Sequence, residues 1–393
     1  MYPVIYLNKK KIAAVKRFHP WIFSGAIQKM ERPVEDGELV EVRAMGGEFL
    51  AIGYYQDNTI AIRILSFKKE LINEAYWENT LKSAYNLRNK LGLVDSEITN
   101  AYRLIHAEGD GVPGLIIDIY NTTAVIQCHS IGIHQRIEVI KSALLAIYGN
   151  KLEAIYDKSK ETLPKEYAQT IENGYLHGHS DNQIVKENKN MFFVDWALGQ
   201  KTGFFLDQRE NRKLLAQYAP NKSVLNTFCY SGGFSIYALR AGASLVHSVD
   251  VSKKAIDWTD KNVEINGFEN KHESYAQDVL RFLKRTEESY DIVVVDPPAY
   301  AKSKKARHNA VQGYKRLNAE AFKKVKNGGL MFTFSCSQVV DRVLFHNTIV
   351  AAALESKRKV RVLHHLSQPA DHPMNIYHPE GSYLKGLVLQ VED

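Results

Sequence analysis

Apolar positions in residues 1–68 fall in short runs, at 4–7, 39–43, 48–55 and 60–65, broken by turn residues such as Glu35-Asp36-Gly37. Runs this short at close, even spacing predict the strands of a small barrel-like β domain. A charged amphipathic stretch over 71–91 predicts a helix. Apolar runs at 103–106, 115–119 and 123–128, a turn at Glu108-Gly109-Asp110-Gly111, a helix near 134–147 and a strand near 153–156 predict an α+β unit. Residues 157–190 are polar and predict loops and hairpins. There is no internal repeat.

From about residue 191 the pattern changes. Apolar runs at 224–226, 245–251, 274–277, 292–295 and 330–334 alternate with helical patterns at 235–239, 253–266, 279–284 and 317–325. Such alternation predicts βαβ units and a doubly wound parallel sheet. A helix over 343–355 leads to runs at 361–366 and 383–391. The loop between those two has no room for a crossover helix, so they should pair antiparallel. The expected class is therefore α/β, five parallel strands plus a terminal β-hairpin, with domains at 1–68, 69–190 and 191–393.

Composition changes this picture little. Hydrophobic residues make up 45%, enough for a substantial core, and the formal charge of +7 mildly favours a polyanionic partner. Cys128, Cys229 and Cys336 are widely spaced without a CxxC pair, which argues against disulfides and a zinc site, so no metal is expected. The N-terminus lacks the apolar core of a signal peptide, and no run reaches the length of a membrane span. The expectation is a cytoplasmic protein with no membrane partner; a homodimer is left open.

Chemistry gathers at the ends of the predicted parallel strands. The first runs into Asn226-Thr-Phe-Cys-Tyr-Ser-Gly-Gly-Phe234 and then a helix. Gly232 and Gly233 there let the backbone approach a ligand at the positive end of a helix. The spacing is not GxGxxG, which disfavours a nicotinamide dinucleotide. The second strand ends at Asp250-Val251, where a carboxylate can accept from both ribose hydroxyls. The third is followed by Asp278-Val279, where a carboxylate can take a bond from an adenine amine. Singly, each is more often a turn glycine or a helix cap. In order, at three successive strand ends, they point to S-adenosylmethionine, with Asn226, Phe228, Ser231, Gly232, Gly233, Asp250, Val251, Asp278 and Val279 as its candidate site.

The fourth strand ends in Asp296-Pro297-Pro298-Ala299-Tyr300 and the fifth in Ser335-Cys336-Ser337, next to where the cofactor's methyl would sit. Paired prolines stiffen the chain after a carboxylate and donate no amide hydrogen. Carbon 5 of cytosine is a poor nucleophile until a thiolate adds to carbon 6, and cysteine suits that step. Cys336 and Asp296 are the candidate catalytic residues, Asp296 also bordering the cofactor. A lone cysteine is more often packed behind a strand; the strand-end position and flanking serines favour chemistry for Cys336. Cys229 and Cys128 read as packing residues.

With these residues in place, the chain resembles the bacterial PUA-domain-bearing 5-methylcytosine methyltransferases of large-subunit ribosomal RNA. The resemblance runs through His19-Pro-Trp-Ile-Phe-Ser-Gly25, Ile105-His-Ala-Glu-Gly-Asp-Gly-Val-Pro-Gly-Leu115 and Lys201-Thr-Gly-Phe-Phe-Leu-Asp-Gln-Arg209. It continues in Asp296-Pro-Pro298, Gly313-Tyr-Lys315, Ser335-Cys-Ser337 and His378-Pro-Glu-Gly-Ser-Tyr-Leu-Lys-Gly386. It implies an N-terminal PUA domain for RNA, a small middle domain and a Rossmann-like catalytic domain acting on 23S ribosomal RNA. It also implies that Gln208 and Arg209 border the cofactor or substrate pocket, although residues 207–212 read equally as a helix-capping segment. The chain departs from the family at Ala299, where lysine is frequent, and has no second cysteine in that motif. The group that takes the carbon-5 proton is therefore open.

Residues 301–316 carry Lys302, Lys304, Lys305, Arg307, Lys315 and Arg316 and no acid. A solvated loop is the usual reading of such a run. Its place beside Asp296, with Tyr300 and Tyr314 for stacking and Pro297 and Pro298 at the pocket, favours RNA. Lys9, Lys10, Lys11, Lys16 and Arg17 form a second basic cluster. Two other functions fit parts of the pattern: methylation of an exocyclic base amine, and a non-catalytic RNA-binding ribosome-assembly factor.

Overall fold

The computed structural model describes residues 2–393 except Lys302, and leaves out the side chain of Lys304. The N-terminal apolar runs form a six-stranded sheet, Val4–Leu7, Trp21–Phe23, Ile27–Met30, Leu39–Ala44, Phe49–Tyr55 and Ile60–Ser66. Val4–Leu7 runs parallel to Leu39–Ala44 and antiparallel to Ile27–Met30. Alternation along these strands sends Ile5, Leu7, Val40, Val42, Ile62 and Ile64 into one core. Two of the six strands, Trp21–Phe23 and Ile27–Met30, escape a reading of the sequence because they bury almost nothing, one residue and none respectively.

A five-stranded sheet follows, ordered Gly174–His177, Ala154–Asp157, Thr123–Cys128, Leu115–Tyr120 and Ala101–His106. Helices Glu74–Lys90 and Ile137–Tyr148 supply Trp77, Leu81, Ile140 and Leu144 to its core. Contacts divide the chain into two interleaved compact units. The first comprises both sheets so far described together with residues 194–204 and 370–381; the second comprises residues 186–193, 205–369 and 382–393. Asp371 ties its segment into the first unit: its carboxylate accepts the Arg103 amide at 3.1 Å and its carbonyl accepts from Arg88 at 2.6 Å.

The second unit is built on seven strands in the order His272–Ala276, Leu245–Asp250, Ser223–Thr227, Tyr290–Val295, Val325–Ser335, Lys385–Glu392 and Lys359–Leu366. The first five are parallel, and Lys385–Glu392 is antiparallel to both neighbours. Val293, Val294 and Val295 are all wholly buried, as expected of a parallel strand covered on both faces. The Rossmann-like α/β sheet ending in a hairpin is thus the observed fold. A buried ion pair braces it: Arg212 meets both oxygens of Glu187 at 2.9 and 2.8 Å and donates to the Phe205 carbonyl at 2.9 Å.

One predicted helix is placed differently in the structure. The helix expected over 317–325 is Arg307–Phe322, so most of the supposed basic loop is helical. Ala310, Tyr314, Leu317 and Ala321 recur at helical spacing and are buried; the charges between them hide that stripe. Among the described residues, no helix is long and apolar enough to cross a membrane.

Candidate active site

The loop after Ser223–Thr227 is held in an uncommon shape. Phe228 (φ 55°), Tyr230 (φ 50°) and Gly232 (φ 75°) all lie in the left-handed region. Gly232 is needed on two counts, since a Cβ there would also come within 2.8 Å of Thr259 Cγ2. Asp250 fixes the loop: Oδ2 accepts the Tyr230 amide at 3.1 Å and Oδ1 the Ser252 amide at 2.9 Å. Thr259 donates to the Tyr230 carbonyl at 2.8 Å, and Asn262 Nδ2 to the Ser231 carbonyl at 2.8 Å. Each Asp250 oxygen keeps a lone pair for an incoming hydroxyl. The Ser231 hydroxyl is buried with no hydrogen-bond partner among the described residues. Buried polar groups are rarely left unpaired, so this orphan beside Asp250 and the glycines fits a polar nucleoside-bearing cofactor.

The other residues assigned to that site fall in different settings. Asn226 is buried, and its amide donates to Ser235 Oγ at 2.9 Å. Asp278 caps the helix Val279–Arg285, accepting the Arg281 amide at 2.8 Å, and is otherwise exposed. Val279 is buried, Val251 is largely exposed, and Phe228 is half-buried.

The catalytic candidates lie on neighbouring strands. Asp296 follows Tyr290–Val295, and Cys336 follows Val325–Ser335. Gln208 Nε2 donates to Asp296 Oδ2 at 2.9 Å, while Asn211 Nδ2 donates to Gln208 Oε1 at 2.6 Å and so fixes which way the Gln208 amide faces. Burial, and then the charge of Asp207, push the Asp296 carboxyl up to about 7. Asp207 was not singled out in the sequence. Tyr383 donates to its Oδ2 at 2.7 Å, and its Oδ1 is buried without a partner among the described residues. Arg209 is buried, with Nε 3.3 Å from Glu210.

Cys336 is partly accessible, whereas Cys128 and Cys229 are buried. Its flanking serines are structural: Ser337 donates to the Ala301 carbonyl at 2.8 Å, and Ser335 Oγ accepts the Ser337 amide at 3.3 Å. Burial, then Asp296 and Asp207, push the Cys336 thiol up to about 11, and Lys385 opposes them. Lys385, buried on the adjacent strand, is a second residue that sequence reasoning passed over. Its only trace there was its place in the His378–Gly386 motif.

The basic run is thinner than its sequence suggests. Lys302 and the Lys304 side chain lie outside the described residues. Lys305 and Arg307 are exposed, but Lys315 pairs with Glu355 at 2.9 Å. Tyr314 is not a stacking platform: it is wholly buried, packed between Tyr300 (4.7 Å between ring centroids) and Phe345 (6.1 Å). Tyr300 keeps an exposed edge; Pro298 is exposed and Pro297 buried. In the first unit, His19, His378 and Glu380 bring ligand atoms within 4.8 Å of one another, with Glu380 exposed to solvent.

Comparison with known proteins identifies the domains and the family. Residues 5–67 match a PUA-like domain, and residues 162–375 match the S-adenosylmethionine-dependent methyltransferase model. The chain is 39% identical over 395 residues to ribosomal RNA large subunit methyltransferase I of Aliivibrio fischeri, covering 98% of this chain and 99% of that one. It is 38% identical over 394 residues to the protein of the same name from Aeromonas salmonicida, covering 98% of each. Among solved structures, it has the fold of a chain described as a SAM-dependent methyltransferase from Streptococcus mutans (TM-score 0.84, 23% identity, 98% and 99% covered). A further structure of that fold, crystallised with SAH, aligns with a TM-score of 0.85 at 24% identity, covering 98% and 99%. The cofactor is S-adenosylmethionine.

Proposed function

Because the chain belongs to the S-adenosylmethionine-dependent methyltransferase family, alongside the ribosomal RNA large subunit methyltransferases I, we propose that it forms 5-methylcytosine in 23S ribosomal RNA through a covalent Cys336–cytosine adduct. The observation that carries this reading is the pairing of an accessible thiol on one central strand with a carboxyl near neutrality on the next. Bound S-adenosylmethionine supplies the methyl group. The task of the chain's own residues is to make carbon 5 nucleophilic.

Sulfur of Cys336 forms a bond to carbon 6, and the double-bond electrons move into the ring toward nitrogen 3. A carboxyl with a pKa of about 7 is protonated in about half of the molecules at neutral pH, and in that form Asp296 can give nitrogen 3 a hydrogen bond or its proton. That neutralises the ring charge and leaves an enamine whose carbon 5 is electron-rich. After methylation the carbon-5 proton passes to a water molecule, its electron pair restores the double bond, the carbon–sulfur bond breaks with its pair going to Cys336, and nitrogen 3 returns any proton it took to Asp296. Gln208, itself oriented by Asn211, holds the Asp296 carboxyl in place throughout. Tyr300, Pro298, Lys305 and Arg307 offer the exposed edge along which an unpaired RNA strand is held.

RNA carrying 5-fluorocytosine at the target tests the mechanism, since fluorine cannot leave as the proton does and the adduct is trapped. The wild type should give a denaturant-stable complex, and Cys336→Ala none. Product formation by Cys336→Ala would overturn the reading in favour of amine methylation.

A further inference from the structure

Lys385 opens the strand that returns antiparallel beside the catalytic one, and its backbone pairs with Ser335. Its Nζ donates to the carbonyl of Ser337 at 2.7 Å. The side chain therefore spans the two residues that flank Cys336. It is buried, with 3% relative exposure, and among the described residues its ammonium, with three N–H groups, has one neutral carbonyl as acceptor, which offsets burial of the charge poorly. A negative charge on the neighbouring sulfur would offset that cost.

We infer that Lys385 is a positioning residue for the thiol: its ammonium stabilises the Cys336 thiolate once the thiol proton has passed to solvent. This rests on Cys336 being the nucleophile. The surrounding charges agree with the pairing. Burial pulls Lys385 down to about 8, and Cys336 is the strongest influence raising it again. On Cys336 the carboxylates of Asp296 and Asp207 act the other way, so Lys385 is the cation that opposes them. Arg342 and Asp341, at the start of the helix Arg342–Ser356, act on Lys385 in opposite senses. His346 from that helix and His365 from the strand Lys359–Leu366 line a cavity of about 330 Å³ that Lys385 also borders. On the helix Arg307–Phe322, the Tyr314 phenol is raised by burial and, more weakly, by the Cys336 thiol.

The test is alkylation of the full-length protein by iodoacetamide between pH 6 and 10, read at Cys336 by peptide mass spectrometry, without RNA or cofactor. Buried Cys128 and Cys229 serve as internal controls for unfolding. Lys385→Gln should slow alkylation by about tenfold or more at pH 6–7, where Lys385 is charged, and the difference from wild type should fade as pH rises through about 8, so that the two profiles differ in shape. Lys385→Arg should stay within about threefold of wild type. If the glutamine variant does not fold, Lys385→Met, which keeps the apolar stem, carries the same expectation. An unmoved profile in folded neutral variants overturns the inference, even if 5-fluorocytosine RNA is trapped. A shifted profile with no trapped adduct supports the Lys385–Cys336 pair and rejects the cytosine reading instead.

Discussion

Replacing Asp296 with asparagine should make the protein more stable at neutral pH while cutting its activity sharply. The carboxyl titrates at about 7 in the folded chain against an ordinary 3.8, because burial and Asp207 disfavour its charge. A raised acid pKa means that the folded state holds the proton more tightly than the unfolded one. The stability this provides is complete below about pH 3.8, declines by roughly 1.4 kcal/mol per pH step, and is gone above about 7. Between pH 5 and 7.5 the loss from this group is therefore about 2–3 kcal/mol. Asparagine imitates the protonated form, and its carbonyl can still accept from Gln208 Nε2. Urea titrations of wild type and Asp296→Asn at half-step intervals of pH should show the stability difference swinging toward the variant by that amount. Methyl transfer should fall at least about a hundredfold, since the amide cannot protonate the ring. A stability difference that stays constant from pH 5 to 8 would refute the argument.

Two further outcomes follow from the same geometry. Asp250→Ala removes the acceptor proposed for the ribose and also frees the Tyr230 and Ser252 amides, so S-adenosylmethionine binding should weaken by about 1–3 kcal/mol in calorimetry; unchanged affinity would mean that the loop is not the cofactor site. Changing Lys305 and Arg307 to glutamine should flatten the logarithmic salt dependence of RNA binding by up to about 1.4, at ~0.7 per phosphate on a single strand, whereas Lys315→Gln should change it little because Glu355 already occupies that ammonium. Equal slopes for wild type and the double variant would place the RNA path elsewhere.

The parallel sheet was legible mainly from its central strands, such as Tyr290–Val295, which are apolar because both faces are covered, and from the helical patterns between the runs. The helix Lys253–Asn266 could be read to its ends, since Ser252 caps one, accepting the Ala255 amide at 3.3 Å, and Gly267 closes the other at φ 72°. Helix Arg307–Phe322 could not: Ala306 begins it without a side-chain cap, and basic residues mask its buried stripe. Cys336, Asp296 and Asp250 announced themselves through motifs at strand ends. Asp207 and Lys385 did not, because what matters in them is a neighbour brought in from far along the chain: Tyr383 for one and Ser337 for the other. Tyr314 misled for the converse reason. An aromatic beside basic residues looks like a platform until its ring is seen between Tyr300 and Phe345.

The strand Lys385–Glu392 lies between Val325–Ser335 and Lys359–Leu366, both of which precede it in the chain. As the polypeptide emerges from the ribosome, those two strands have no direct partner in each other and wait with an empty slot between them. Their facing edges stay open to wrong partners until residue 392 has been made. The residue that starts the filling strand is Lys385. A nascent chain therefore carries Cys336 before it carries Lys385, and Ser335 gains Lys385 as its partner only when the sheet has closed.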